Sequence, residues 1–262
     1  MAERRAVRAP RAGGQHFLRS PRLAAALVRD ASIERRDLVV DLGAGSGRLT
    51  AALAHRAGRV QAIELDPLWA ARLRDRFADR PNVSVIEADA VRWPLPEAPF
   101  SVVANVPFDR TTEILRHLLD DPRLPLRQAD LIVEWGVALK RSARWPSRML
   151  NVRWGAWYEV ALVRRLPAAL FEPKPRVDAG LLRFVRRPQP LVPDSDAQRF
   201  CHFLEHAFTG RGRALRQTLA SFLSPRELKR LAGELGFDPS ASARELDLYQ
   251  WTTLFGAVRR ER

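Results

Sequence analysis

Leu38-Val39-Val40-Asp41-Leu42-Gly43-Ala44-Gly45-Ser46-Gly47 is an apolar run that ends in alternating glycines. Its first half has the continuous hydrophobicity of a buried strand. Leu49, Ala52 and Leu53 follow at helical spacing, so the glycines fall on a strand-to-helix turn, where a missing Cβ lets backbone approach a ligand. The spacing is G-x-G-x-G rather than the G-x-G-x-x-G of dinucleotide sites; by itself it fits a dinucleotide, a nucleoside or nothing. Later strand ends narrow the choice. Val60-Gln61-Ala62-Ile63-Glu64 places Glu64 21 positions after Gly43, where such folds carry a carboxylate for ribose hydroxyls. Val83 to Ala88 leads to Asp89, and Phe100 to Ala104 leads to Asn105. Ligands of open α/β sheets sit outside the carboxyl ends of the strands, so Gly43, Glu64, Asp89 and Asn105 are expected to line one crevice.

The fourth strand end reads Asn105-Val106-Pro107-Phe108. An amide oxygen and a neighbouring backbone carbonyl, that of Pro107 or an adjoining residue, can each accept one N–H of an exocyclic amine. The aromatic side chain can stack on a base, as in enzymes that act on extruded bases. That set suits attack by the amine of adenine, whose lone pair is delocalised into the ring. The same four residues also read as ordinary turn punctuation; the strand ends upstream favour the binding reading.

Together these residues resemble the S-adenosylmethionine-dependent methyltransferases, and more narrowly the ribosomal RNA adenine N6-methyltransferases. Gly14-Gln15-His16-Phe17-Leu18 looks like the N-terminal Gln-Asn-Phe-Leu signature, with His16 where Asn is usual. Asn105 to Phe108 looks like the adenine-methylating motif, and Phe171-Glu172-Pro173-Lys174-Pro175-Arg176-Val177-Asp178 looks like the Phe-x-Pro-x-Pro-x-Val segment. Phe108, the stretch from Glu134 to Arg141 and the segment from Gly212 to Gln217 favour the Erm-type branch over the small-subunit dimethyladenosine transferases.

The resemblance implies an α/β, Rossmann-like methyltransferase sheet with a small C-terminal helical domain, and S-adenosylmethionine as cofactor. It places Gln15, His16, Leu18, Gly43, Gly45, Glu64, Asp89 and Asn105 around that cofactor, Glu64 on the ribose and Asp89 on the adenine amine. It makes Asn105, Pro107 and Phe108 the catalytic set, with Phe171 over the other face of the target base. The methyl group would move by in-line displacement, once or twice, onto one adenine of 23S rRNA, giving macrolide, lincosamide and streptogramin B resistance. The alternatives are a small-subunit rRNA dimethyladenosine transferase and a relative that keeps the fold but only binds RNA or DNA.

Composition agrees. The net charge of the 262-residue chain is +14, which points to a nucleic-acid or anionic partner. It is uneven: residues 37–139 carry −3 and residues 140–187 carry +9, counting Arg and Lys against Asp and Glu. Arg141, Arg144, Arg148, Arg153 and Lys174, with Phe171, are the candidate RNA contacts. Trp154 and Trp157 lie in the same stretch and read as packing residues. The single Cys201 excludes an intramolecular disulfide; its apolar neighbours place it in a core, and no metal site is expected. Without an 18-residue apolar run or an apolar segment after the basic N-terminus, no membrane contact or secretory signal is expected. A monomer in the cytoplasm, acting on 23S rRNA or pre-ribosomal RNA, is the expectation.

The layout follows. Residues 1–13 read as a flexible basic arm, 14–187 as the catalytic domain and 194–262 as the helical domain, with a Pro-rich linker at 188–193. Ser20-Pro21 opens a helix to about residue 30. Leu131 to Glu134 reads as the fifth parallel strand, and Trp157 to Val163 and Gly180 to Val185 as closing strands. Helices are expected at about 195–208, 212–223, 225–235 and 244–257.

Overall fold

The computed structural model describes residues 16–209 and 213–260. The expected flexible arm at 1–13 and the expected cofactor contact Gln15 lie outside the described residues.

Apolar strands alternate with amphipathic helices along the first half of the chain, which forces a parallel sheet with helical crossovers. After the short β1 (Phe17–Leu18) come α1 (Pro21–Asp30), β2 (Leu38–Leu42), α2 (Arg48–Ala54), β3 (Arg59–Glu64), α3 (Pro67–Arg76), β4 (Val83–Glu87) and β5 (Phe100–Asn105). Then follow α4 (Thr111–Leu119), β6 (Leu126–Glu134), α5 (Trp135–Ser142), α6 (Met149–Gly155), β7 (Tyr158–Leu166), β8 (Phe171–Glu172) and β9 (Ala179–Arg186). The main sheet has seven strands in the order β4-β3-β2-β5-β6-β9-β7. The first five are parallel, and β9 and β7 close the sheet antiparallel. The order turns around between β2 and β5, and both strands end at the same edge of the sheet. Residues Leu38–Leu42 are wholly buried, as a strand covered on both faces must be. Ser20 caps α1, its side chain accepting from the Leu23 N–H with Pro21 in the first turn.

The C-terminal part is helical: α7 (Ala197–Thr209), α8 (Leu215–Thr218), α9 (Pro225–Leu235) and α10 (Leu248–Arg260). It packs on the sheet through aromatic contacts, Trp157 meeting Phe200 at 5.8 Å and Phe200 meeting Phe255 at 5.0 Å. Trp154 and Trp157 are buried, as their sequence context implies.

Three sequence expectations change. The helix expected at 212–223 is regular only at Leu215–Thr218: Leu215 and Arg216 donate their N–H groups to the carbonyls of Ala241 and Pro239 at its start, and Phe222 and Leu223 bond back to the Leu219 carbonyl in a separate turn. The helix expected from 244 begins at 248, where Asp247 and Gln250 exchange side-chain and backbone hydrogen bonds in a reciprocal cap. Cys201 is half-buried rather than in the core, since α7 buries Phe200, Phe203, Leu204 and Ala207. Among the described residues no helix is long and apolar enough to cross a membrane, and no cluster of metal-ligating side chains occurs.

Candidate active site

The glycine turn closes onto the neighbouring strand, Gly43 and Ala44 both donating to the Ile63 carbonyl. Gly45 has φ +49°, and a Cβ there would lie 2.4 Å from the Phe17 ring. Only glycine gives both that conformation and that close approach. A Cβ on Gly43 would meet Pro107 at 3.3 Å, so the turn touches the Asn105–Phe108 segment.

Glu64 is 4% exposed at the end of β3, and each of its oxygens accepts one backbone N–H. Oε2 accepts from Gly45 at 2.7 Å and Oε1 from Asp66 at 2.9 Å. A carboxylate has about four acceptor positions, so two remain for ligand hydroxyls. Asp41, one strand over, is fully buried and accepts from the Thr50 hydroxyl at 2.7 Å. Burial, aided by the nearby Glu64 charge, pushes the Asp41 carboxyl up to about 7, against the hydrogen bond from Thr50. Asp89 Oδ1 accepts from Arg110 at 2.9 Å and from the Val91 N–H at 3.1 Å. Among the described residues its Oδ2 has only Arg92, at 4.0 Å.

Asn105 ends β5. Its Nδ2 donates to the His16 carbonyl at 2.6 Å, which fixes the amide so that Oδ1 faces the other way. Among the described residues Oδ1 is buried without a hydrogen-bond partner. An orphaned buried acceptor is uncommon enough to need an explanation. The Pro107 carbonyl is already committed, accepting from the Arg110 N–H at 3.1 Å and the Thr111 hydroxyl at 3.3 Å. The preceding carbonyl, of Val106, accepts no hydrogen bond among the described residues. Phe108 is half-buried and opens a short 3-10 turn, with the His16 ring 5.5 Å away. His16, Gly43, Glu64, Asp89, Asn105 and Phe108 line one crevice.

A two-stranded strap holds the N-terminal segment over the crevice. β1 pairs antiparallel with β8, Leu18 opposite Phe171. The His16 Nδ1 lies 2.8 Å from the Pro173 carbonyl, Arg19 pairs with Glu172 at 2.6 Å, and Arg48 donates to the carbonyls of Leu18 and Arg19. The strap overturns one expectation: Phe171, read as a cover for the base and an RNA contact, is fully buried behind Leu18 and presents no face to either. Leu18 is itself 3% exposed and borders the glycine turn from below the surface.

The expected RNA contacts fall into two sets. Arg144 and Lys174 are exposed and Arg148 half-buried. Arg153 instead turns inward, donating to the Asp120 carbonyl at 3.1 Å and lying 3.4 Å from its carboxylate. Arg141 is only 7% exposed, its guanidinium 5.2 Å over the Trp154 ring. Two positions take their place only from the structure: Arg110, which holds Asp89, and the Val106 carbonyl, the adjoining acceptor left open beside that of Pro107. Neither has a local sequence signal, because each is defined by what the 3-10 turn does to its neighbours.

The chain matches the family described as Ribosomal RNA adenine dimethylase over residues 8–259. It is 35% identical to a mycinamicin-resistance protein, MyrB, of Micromonospora griseorubida, across 94% of this chain and 78% of that protein. It is 33% identical to a ribosomal RNA small subunit methyltransferase A of a Synechococcus strain, across 92% of this chain and 89% of the relative. Among solved structures it is similar to the 23S rRNA methyltransferase ErmE, with a TM-score of 0.81, 29% identity, and coverage of 93% of this chain and 99% of ErmE.

Proposed function

Because the chain belongs to the ribosomal RNA adenine dimethylase family and so is an rRNA adenine methyltransferase, we propose that it methylates N6 of one adenine in 23S rRNA, using S-adenosylmethionine. The observation that carries this reading is the buried Oδ1 of Asn105, unpartnered among the described residues and held in place by the His16 carbonyl.

The crevice fits the cofactor. Gly45 lets the Phe17 ring close against the glycine turn, and Glu64 keeps acceptor positions free beside it. Glu64 would take the ribose hydroxyls, and Asp89 Oδ2 the adenine amine of the cofactor. Gly43, Gly45, His16 and Leu18 would border the remainder. When bound, S-adenosylmethionine supplies an electrophilic methyl group on a sulfonium.

Asn105 Oδ1 accepts one N–H of the target amine and the Val106 carbonyl accepts the other. These two acceptors draw the nitrogen toward tetrahedral geometry and free its lone pair. Phe108 stacks on the base and holds it in line. The amine becomes acidic as its new N–C bond forms and gives its proton to solvent, so no strong base is required of the chain. Positioning and fixed dipoles then supply most of the acceleration.

Similarity to MyrB and to ErmE supports 23S rRNA as substrate and a role in macrolide resistance, as does Phe108 at the end of the motif. The small-subunit reading keeps support from the 33% identical relative. Methyl transfer from labelled S-adenosylmethionine to separate 23S and 16S transcripts decides between them. Label confined to the 23S transcript is expected. Label confined to 16S would replace this reading with the small-subunit one, and label in neither would favour the non-catalytic relative.

A further inference from the structure

His16 meets the amine site twice. Its backbone carbonyl accepts from Asn105 Nδ2 at 2.6 Å, and its ring lies 5.5 Å from the Phe108 ring, tilted by 50°. The imidazole is also held from the strap, its Nδ1 lying 2.8 Å from the Pro173 carbonyl, 157 residues away in the chain. A carbonyl only accepts, so Nδ1 carries the proton, and the bond restrains the ring's rotation. The segment beneath it is tied down in turn. Leu18 pairs with Phe171, Arg19 with Glu172 at 2.6 Å, and the Phe17 ring packs 4.9 Å from Trp69. The half-buried His16 is therefore a fixed part of the crevice wall beside Phe108.

An adenine amine brings two N–H bonds to two acceptors, Asn105 Oδ1 and the Val106 carbonyl. In the first transfer the nitrogen lone pair forms the N–C bond, the C–S bond breaks with its electrons left on sulfur, and one proton leaves to solvent. The product amine carries one N–H and one methyl group. A second transfer needs its lone pair to face a fresh sulfonium, so the methyl group must replace an N–H. A methyl carbon placed there collides with an oxygen held about 2.9 Å from the nitrogen. Neither acceptor is free to move. The His16 carbonyl pins the Asn105 amide, while Val106 is 2% exposed with its N–H on the Ile132 carbonyl. The base itself must then shift along Phe108 to make room, and the tethered imidazole stands beside that ring.

We infer that the His16 imidazole is a product-specificity residue, limiting the enzyme to one methyl group per target adenine. The backbone carbonyl of residue 16 is common to any side chain there; the ring is what distinguishes this chain. Asparagine, the usual residue in the signature that this segment resembles, is smaller and has no ring. The inference rests on the proposed reaction but not on which rRNA carries the target.

The test uses the full chain, in excess over whichever rRNA transcript takes the label, with saturating S-adenosylmethionine. N6-methyladenosine and N6,N6-dimethyladenosine are followed over time by mass spectrometry for the wild type, His16→Ala and His16→Asn. The quantity read is the rate of the second transfer divided by that of the first. A loss of folding or of cofactor binding lowers both rates alike and leaves that quotient unchanged. The wild type is expected to stop at the monomethylated base. Both variants should raise the quotient by about tenfold or more, so that dimethyladenosine accumulates. Dimethyladenosine as the main wild-type product overturns the inference, and so does a wild-type quotient in the variants. Should His16→Ala fail to fold, His16→Asn, which keeps a donor for the Pro173 carbonyl, decides by the same quotient. A wild type that methylates neither transcript would overturn the proposed function, and the inference with it.

Discussion

The crevice at the strand ends and the arginines of α5 and α6 treat buried charge in opposite ways. In the crevice nearly every charged group has a partner inside the molecule: Glu64 takes two backbone N–H groups, Asp41 takes the Thr50 hydroxyl, and Asp89 takes Arg110. Arg141 and Arg148 have no hydrogen-bond or ion-pair partner among the described residues, although Arg141 lies over the Trp154 ring, and their Nε atoms are orphaned. Internally satisfied groups hold a framework that waits for a small ligand. Unsatisfied ones are completed from outside. By that measure Asn105 belongs with the arginines although it sits in the crevice, because its Oδ1 is also left open.

The comparison breaks most visibly at Asn105. Asn105→Ala is expected to lower single-turnover methyl transfer by about a hundredfold or more while cofactor binding, read by calorimetry, stays within a few-fold. A matching loss in cofactor affinity would make Asn105 part of the framework instead. Gly45→Val comes next. It forces a side chain into a left-handed conformation and against Phe17, and should weaken S-adenosylmethionine binding about tenfold. Binding by the variant as tight as by the wild type would show that the strap gives way freely.

Asp41 sharpens the comparison through pH. Its carboxyl titrates near 7 when folded and near 3.8 when unfolded, so the folded state holds the proton more tightly. The corresponding stabilisation is complete below the unfolded value and is lost as pH rises toward 7, at up to about 1.4 kcal/mol per pH unit. Denaturant melts should find the wild type less stable at pH 8 than at pH 5 relative to Asp41→Asn. A constant difference between the two proteins would deny the shift. The smallest effect is expected at Arg110: Arg110→Gln leaves Asp89 less firmly oriented and should raise the cofactor KM by about threefold, the scale of a partly exposed ion pair. No change in KM would separate Asp89 orientation from Arg110.

Much of the crevice is legible in the amino-acid sequence, because each component closes a strand of recognisable pattern. Glu64 and Asn105 follow runs with the apolar continuity of buried strands, and period and strand-end position together place them. What the sequence hides shares a different property. The β1–β8 strap is two residues wide on each side, too short for an alternation to register, and it joins segments more than 150 residues apart. Phe171 departs from its expected role for that reason: its partner is Leu18, and the pairing buries it. Only the fold shows that within the basic stretch at 140–158 Arg141 lies over the Trp154 ring and Arg153 has turned away to Asp120. The C-terminal helix, expected from 244 and beginning at 248, shows the converse case, a cap legible in Asp247 and Gln250 once the boundary is known.

The most direct test of the central claim is mass spectrometry of adenosines in 23S and 16S rRNA from cells expressing the wild type or Asn105→Ala. The account predicts N6-methylated adenine at a single position of the 23S peptidyl-transferase loop, present with the wild type and absent with Asn105→Ala. Methylation found only in 16S rRNA, or the same 23S mark with both proteins, would contradict it.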